Sequence, residues 1–250
     1  MRGTKALRQL LQALFFPQAC VLCHNWVLNP DWSPLCRSCF LSLEPLEQRR
    51  CYCCGIPLPG NVLAIHGTCS QCRTLGKPFD FARAYGSYRG ELRSLIIKFK
   101  FGNHQRLSHP LAALLQHCYE NSGLDLEPDW IVPVPPHVRR KRERGFDQTL
   151  ILSRALSRRL KIPVFKGLYR VKPTVPQSGL NLQERRKNLG HAFRLSQADR
   201  LADQTLVLID DVMTTGTTIS EICSLIRLET RIRTILVLTV ARVPLLSAQA

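Results

Sequence analysis

The sequence predicts an α/β fold, with a parallel sheet flanked by helices and a small cysteine-rich module in front of it. In the second half of the chain, apolar strands alternate with helical segments, and residues 206–209 (LVLI) and 234–240 (TILVLTV) are almost entirely apolar. Such strands are typical of parallel sheets covered on both faces. Nine of the eleven cysteines lie between Cys20 and Cys72. We therefore expect two parts, residues 1–80 and residues 81–250.

The alternation predicts the elements of the second part in order. Helices are expected over residues 91–100, 106–119, 147–160 and from about 217, and strands over 129–134, 162–165, 205–209 and 233–240. A polar stretch that ends at Gly190 separates the first two strands from the last two.

The chain is strongly basic, with 35 Lys and Arg against 18 Asp and Glu. This surplus favours polyanionic partners or phosphorylated ligands, and a solvated basic surface is the alternative. Residues 1–17 have the spacing of an amphipathic helix. The sequence shows neither a secretory signal nor the roughly 18 apolar residues of a transmembrane segment, so we expect a cytoplasmic protein.

The cysteines of the first part form four Cys-x2-Cys pairs, which is the spacing of zinc ribbons. The pairs are Cys20 with Cys23, Cys36 with Cys39, Cys51 with Cys54, and Cys69 with Cys72. Two pairs complete a tetrahedron of thiolates at about 2.3 Å from the metal, so four pairs can hold two Zn²⁺ ions. The alternative is a disulfide scaffold, which rarely persists in a reducing compartment.

The assignment of the pairs to the two metals stays open, because sequential and crossed arrangements satisfy the same ligand count. Cys53, His24 or His66 could also replace one ligand. Sites made of thiolates alone are closed, so we expect the zinc to stabilise the fold rather than to catalyse hydrolysis. This part is rich in proline, and the sequence predicts that it has little apolar core.

Residues 207–218, with the sequence VLIDDVMTTGTT, contain the most specific pattern of the chain. A strand brings Asp210 and Asp211 to its carboxyl end, and a loop of hydroxyl residues around Gly216 then begins a helix. The N-terminus of a helix attracts an anion, whereas carboxylates instead accept hydrogen bonds from sugar hydroxyls. The pattern predicts a phosphate and a diol bound side by side, against the alternative of an ordinary turn with capping threonines.

This segment resembles the phosphoribosyl pyrophosphate signature of type I phosphoribosyltransferases. The resemblance implies a sheet of that type in residues 81–250, with Asp210 and Asp211 binding the ribose 2- and 3-hydroxyls. It also implies Mg²⁺ bound with the diphosphate of the ligand. The residues that would wrap the 5-phosphate are Met213, Thr214, Thr215, Gly216, Thr217 and Thr218.

Segments over nearly the whole chain, from residue 16 to residue 241, are similar to the ComF family. They are the four cysteine pairs and residues 97–102 (IKFKFG), 132–135 (VPVP), 144–148 (RGFDQ) and 177–193. In that family a zinc module precedes a phosphoribosyltransferase-like domain. The resemblance is particularly close to GntX-type members of Gram-negative bacteria, whose role lies in competence or in the use of imported DNA. Asp147 departs from the family pattern, which more often has Asn there.

Nine Lys and Arg residues lie between Arg139 and Lys161. The resemblance places the loop after residue 134 where type I enzymes hold pyrophosphate. The candidates in this loop are Arg139, Arg140, Lys141, Arg142 and Arg144, with the backbone of Gly145. We favour Arg144 because it adjoins the glycine. The other cations are expected on a solvated face or against nucleic acid.

The long polar stretch 172–190 contains Arg185 and Arg186. Long loops are often lids, and in type I enzymes the equivalent region closes over the ligand and excludes water. We therefore include Arg185 and Arg186 in the predicted ligand site. The alternative for this stretch is a basic linker.

The resemblance implies a protein that binds phosphoribosyl pyrophosphate, or a related ribose 5-phosphate ligand, and serves DNA uptake, competence or the use of imported DNA. One alternative is a salvage phosphoribosyltransferase that acts on free nucleobases. Another is a non-catalytic protein that binds single-stranded DNA or recruits other DNA-uptake proteins. The sequence identifies neither a general base nor the acceptor.

Overall fold

The cysteine-rich part consists of short elements placed around its cysteines. The computed structural model describes residues 18–27, 34–46, 49–58, 67–102, 104–137, 142–171 and 192–244. Strands β1 (Gln18–Ala19) and β2 (Trp26–Val27) form an antiparallel pair, and helices α1 (Arg37–Leu41) and α2 (Ser70–Leu75) follow. Cys36 and Cys69 are the N-cap residues of α1 and α2. Because N–H groups at a helix start lack partners within the helix, this position suits a thiolate.

The rest of the chain alternates strands and helices. The strands are β3 (Phe81–Ser87), β4 (Trp130–Pro133), β5 (Leu168–Arg170), β6 (Phe193–Leu195), β7 (Thr205–Met213) and β8 (Thr234–Arg242). The helices are α3 (Gly90–Phe101), α4 (Ser108–Glu120), α5 (Gln148–Leu160) and α6 (Thr217–Glu229). Strands β3, β8, β7 and β4 form a parallel sheet in that order, and β5 pairs with β6 antiparallel.

Each face of the parallel sheet is covered by its own layer. On one face, Val207 and Ile209 pack with residues of α3, α4 and α5. On the other face, Leu206 and Leu208 pack with residues of α6 and of the β5 and β6 pair. Because successive residues of a strand point to opposite faces, a strand covered on both sides needs apolar residues at consecutive positions, as residues 206–209 have. The predicted α/β fold with a covered parallel sheet is confirmed.

The cysteine-rich part covers the outer edge of β3. As the last strand on its side of the sheet, β3 has one row of backbone groups without a partner strand. The N–H of Ala82 donates to the carbonyl of Cys53 at 2.7 Å, and the N–H of Leu46 donates to the carbonyl of Tyr85 at 2.6 Å. The approach is close enough that a Cβ added to Gly55, whose φ is 68°, would overlap the carbonyl oxygen of Ala82.

The apolar residues of the cysteine-rich part belong to the two cores of the sheet. Leu35 and Leu43 are buried with the layer of α3, α4 and α5, whereas Cys51, Cys54 and Leu58 are buried with the layer of α6. The part therefore straddles β3 and contributes to both faces. The prediction that little apolar core is available to it is wrong, because its side chains are buried against the neighbouring sheet.

Two predicted strands differ in the structure. The strand predicted over 205–209 continues to Met213, because Val212 and Met213 still pair with β8. Asp210 and Asp211 therefore belong to β7 rather than to the loop after it. Residues 162–165 form only a bridge, between Val164 and Ile131, because the chain then turns away towards β5.

Other boundaries follow from local chemistry. The helix predicted over 106–119 starts with a 3-10 turn, Gln105–Leu107, and becomes α-helical at Ser108, with Pro110 in the first turn, where its missing N–H is tolerated. The helices predicted over 91–100, over 147–160 and from 217 are confirmed within one or two residues. Strands β3, β5 and β6 have no counterpart in the sequence prediction.

The helix expected over residues 1–17 lies outside the described residues. Among those that the structure describes, no helix is both long enough and apolar enough to cross a membrane.

Replacing Asp147 tests the start of α5. Its Oδ1 accepts hydrogen bonds from the N–H of Leu150 and the hydroxyl of Thr149, each at 3.0 Å. Asp147→Ala removes this cap and should lower the free energy of unfolding by about 1 kcal/mol, measured by urea denaturation. Asp147→Asn keeps the acceptor oxygen and should stay close to the wild type. An Asn variant as unstable as the Ala variant would contradict the assignment.

Candidate ligand site and metal centres

Two groups of four cysteines converge in the cysteine-rich part. The first quartet is Cys20, Cys23, Cys36 and Cys39, and the second quartet is Cys51, Cys54, Cys69 and Cys72. Within each quartet all sulfur atoms lie within 4.8 Å of one another. The structure therefore selects the sequential assignment of pairs and not the crossed one. Cys53 and His24 are outside both quartets, and His66 lies outside the described residues.

The spacing of the sulfur atoms fits a tetrahedral zinc ion. Four thiolates at about 2.3 Å from Zn²⁺ are separated from one another by about 3.8 Å. The Sγ atoms of Cys23 and Cys36 are 3.7 Å apart, and those of Cys54 and Cys69 are 3.8 Å apart. The described cysteines form no disulfide. The two quartets are structural zinc sites, as the cysteine spacing predicts.

Backbone N–H groups prepare one thiolate in each quartet. The N–H of Cys36 donates to Sγ of Cys20 at 3.4 Å, and the N–H of Cys69 donates to Sγ of Cys51 at 3.3 Å. Burial by itself raises the pKa of Cys20, but the backbone N–H groups bring that pKa down to about 6. The same opposition of burial and N–H donors lowers the pKa of Cys51 to about 7. These thiols are therefore readily ionised for metal binding.

The loop after β7 is short and exposes hydroxyl groups. It consists of Thr214, Thr215 and Gly216, and α6 begins at Thr217. The hydroxyls of Thr215 and Thr217 are 2.8 Å apart. Gly216 has a φ of 77°, and a Cβ there would lie 2.7 Å from Cε of Met213. The glycine thus turns the chain into a helix whose first N–H groups face the loop, which is the geometry of an anion site.

The two acidic residues of β7 point to opposite faces of the sheet. Asp210 is half-buried, and its Oδ1 accepts the N–H of Asp211 at 2.8 Å. Asp211 is only 4% exposed, and its Oδ1 forms an ion pair with Nζ of Lys100 at 2.7 Å. In the described part of the chain, Oδ2 of Asp211 is buried and has no hydrogen-bond partner. A buried carboxylate oxygen in this state is a candidate acceptor for a ligand hydroxyl or a metal-bound water.

Lys100 reaches Asp211 because α3 crosses the sheet close to the carboxyl ends of its strands. The helix starts beside the end of β3, where Leu92 lies against Gly86, and two strand spacings of about 4.8 Å separate β3 from β7. A helix of about 18 Å spans that distance. The sequence prediction of the site missed Lys100. Its position four residues after the buried Ile96 places it on the buried side of the helix, and this is the signal that could have identified it.

The predicted pyrophosphate loop meets the same end of α3. The guanidinium of Arg144 lies 4.8 Å from the centre of the Phe101 ring, and Gly145 has a φ of 75°. The rings of Phe99 and Phe146 are 6.1 Å apart. Arg144 and Gly145 thus lie next to Phe101, which directly follows Lys100. Arg142 is exposed, and Arg139, Arg140, Lys141, Arg185 and Arg186 lie outside the described residues.

Known proteins resemble both parts of the chain. Residues 11–73 match the family model described as a double zinc ribbon domain. Competence protein F of Haemophilus influenzae is 34% identical over 220 residues, which are 85% of this chain and 92% of that protein. DNA utilization protein YhgH of Escherichia coli K12 is 31% identical over 218 residues, again 85% of this chain and 92% of that protein.

A weaker likeness links the chain to a solved structure. Glutamine phosphoribosylpyrophosphate amidotransferase from B. subtilis, complexed with ADP and GMP, has a TM-score of 0.41 at 13% identity. The match covers 58% of this chain and 30% of that chain. A likeness at this level does not bear on the ligand.

Zinc content tests the assignment of the quartets. The wild type should hold two zinc ions per chain, and Cys23→Ser or Cys72→Ser should each lower that number to one, measured by elemental analysis of the purified protein. Cys53→Ser is the matched control because Cys53 adjoins the second quartet without belonging to it. Loss of zinc in this control would contradict the assignment.

Proposed function

The chain belongs to the ComF family, and from that premise we propose that it binds phosphoribosyl pyrophosphate, or a related ribose 5-phosphate ligand, in the service of DNA uptake or the use of imported DNA. The relatives named for competence and for DNA utilization support the biological setting. The site at the end of β7 supports the ligand.

One arrangement supports this ligand above all. The buried Oδ2 of Asp211 lies on the strand that leads directly into the hydroxyl loop and the N-terminus of α6. An acceptor for sugar hydroxyls and a donor set for phosphate are thus only a few residues apart. A ribose 5-phosphate carries both groups, because its diol and its phosphate are attached to the same small ring. A free phosphate or a free sugar would use only half of this arrangement.

The remaining predicted residues take roles that follow from their charge. Arg144 and the backbone of Gly145 would contact the diphosphate, since guanidinium groups bind phosphate oxygens in pairs. Lys100 would hold the Asp211 carboxylate in place through their ion pair. Mg²⁺ would enter with the diphosphate, which it neutralises. Arg185 and Arg186 would belong to a segment that closes over the ligand, and residues 1–80 and 81–250 would act as a zinc module and a ligand-binding domain.

Thermal unfolding tests the ligand. Phosphoribosyl pyrophosphate with Mg²⁺, at a hundredfold over its dissociation constant, should stabilise the zinc-loaded protein by about 2.7 kcal/mol. The double change Asp210→Asn, Asp211→Asn should remove this stabilisation, measured against the ligand-free baseline of the same variant. Asn is preferred to Ala because it leaves Lys100 an acceptor. Asp203→Asn is the matched control, since Asp203 lies just before β7, at the amino end of the strand and away from the proposed site.

Failure of the ligand to stabilise the wild type would contradict the proposed ligand. Equal stabilisation of the wild type and the double variant would contradict the site. Release of pyrophosphate on addition of a free nucleobase would instead favour the salvage alternative.

A second candidate function is binding of single-stranded DNA, and the charge of α5 favours it. Arg154, Arg158 and Arg159 are exposed on this helix, and Lys161 follows directly after it. Such a row of cations neutralises backbone phosphates without reading their sequence. The net charge of +17 agrees with a polyanionic partner.

Salt dependence tests this second function. Anisotropy of a labelled single-stranded oligonucleotide should give an affinity that falls as the salt concentration rises. The double change Arg154→Ala, Arg158→Ala should reduce the slope of log affinity against log salt by about 1.4, which is about 0.7 for each lost phosphate contact. The control is Arg231→Ala, Arg233→Ala, two exposed cations before β8. Equal slopes for both double variants would exclude α5 as the binding surface.

A further inference from the structure

Arg242 is a buried cation at the carboxyl end of the sheet. It is the last residue of β8, is 8% exposed, and pairs in register with Met213 of β7. Within the described residues no carboxylate forms an ion pair with it, and its Nε has no hydrogen-bond partner. A buried charge is costly unless another charge or polar group compensates it. The groups that contact Arg242 therefore indicate what it is for.

Arg242 contacts the second quartet on one side and Met213, the last residue of β7, on the other. Its Nη1 donates to the carbonyl of Cys54, a member of that quartet. The same nitrogen lies 3.7 Å from Sδ of Met213. The residue after Arg242 adds a second connection, because the N–H of Val243 donates to the carbonyl of Met213 at 2.9 Å.

Met213 extends this connection to the predicted phosphate site. Its Cε is 2.7 Å from where a Cβ on Gly216 would be, so the side chain lies directly against the glycine that begins α6. The carbonyl of Gly216 accepts the N–H of Ser220 at 2.8 Å in the first turn of the helix. A continuous line of contacts thus runs from Cys54 through Arg242 and Met213 to Gly216.

The second zinc site would supply the negative charge that is otherwise missing around Arg242. Zn²⁺ bound by four thiolates has a net negative charge, and Arg242 donates to the backbone of Cys54, one of the four ligand residues. The cation and the thiolates therefore stabilise each other, and loss of the metal would leave Arg242 without a compensating charge.

From these contacts we propose that Arg242 is a positioning residue, through which zinc in the second quartet holds Met213 and Gly216 in the arrangement that binds an anionic ligand. This inference rests on the proposed function for the identity of the ligand. The coupling itself concerns the order of the loop and can be measured without a ligand.

The molecule contains two internal controls. The first quartet packs in the core on the other face of β3, with residues of α3 and α4, and within the described ranges no such line of contacts connects it to the loop. Arg83 is also buried, at 3% exposure, and donates to the carbonyl of Tyr52 in the cysteine-rich part at 2.9 Å. It lies on β3, two strands away from β7. Changes at these control sites remove similar contacts without touching Met213.

Hydrogen exchange of the full-length, zinc-loaded protein tests the coupling. Amides of residues 213–220 should exchange about tenfold faster in Arg242→Met and in Cys72→Ser, as expected for coupling of moderate strength. They should stay near the wild-type rate in Arg83→Met and Cys23→Ser. Arg242→Lys, which keeps the charge, should give an intermediate rate, and it provides the comparison if Arg242→Met does not fold. Unchanged exchange in the Arg242 variants and in Cys72→Ser, or equal acceleration in the controls, would overturn the inference.

Ligand affinity provides a second readout. The dissociation constant for phosphoribosyl pyrophosphate with Mg²⁺, measured well below the unfolding temperature, should rise about tenfold in Arg242→Met and stay unchanged in Arg83→Met. Absence of binding in the wild type would contradict the proposed function alone, because the exchange rates still decide the coupling. Faster exchange together with unchanged affinity in Arg242→Met would overturn the role of Arg242 in binding.

Discussion

The unpartnered outer edge of β3 is the constraint on which the arrangement of this molecule depends. A strand edge of seven residues attracts other strands unless something covers it. Here the covering segment has too little regular structure to hold its own shape, so metal sites and the two cores of the sheet hold it together. The second quartet consequently contacts Arg242 at the end of β8, which in turn contacts Met213 just before the hydroxyl loop. The position of the second zinc site thus follows from the need to cover the outer edge of β3.

The carboxyl ends of the strands concentrate buried charge beside the proposed ligand site. Lys100 and Asp211 form a pair of which one oxygen remains available, and Arg242 is buried between a metal centre and the loop. Such groups weaken a fold when considered alone, because each loses hydration. Their concentration at one edge is typical of functional sites, where stability is given up for a prepared environment.

The sequence predicted those parts of the molecule whose structure depends on residues adjacent in the chain. The cysteine pairs, the hydroxyl loop and the start of α6 each depend on a few adjacent residues. The sequence did not reveal β3, because Arg83 and Gly86 interrupt its apolar character, and both lie close to the segment that covers the strand. Lys100 was missed because its partner is more than a hundred residues away. The end of β7 was misplaced because pairing with β8 carries Asp210 and Asp211 into the strand.

The register of β3 also affects how the chain folds as it is synthesised. Phe81 pairs with Leu236, so the inner edge of β3 has no partner until β8 has been made. Contacts so distant in sequence form late and slow the search for the native state. The outer edge is different, because Ala82 bonds to Cys53 and Tyr85 to Leu46, which are synthesised first. A nascent chain that has already bound zinc therefore exposes one open edge of this strand instead of two, which reduces its tendency to associate with other chains before β8 arrives.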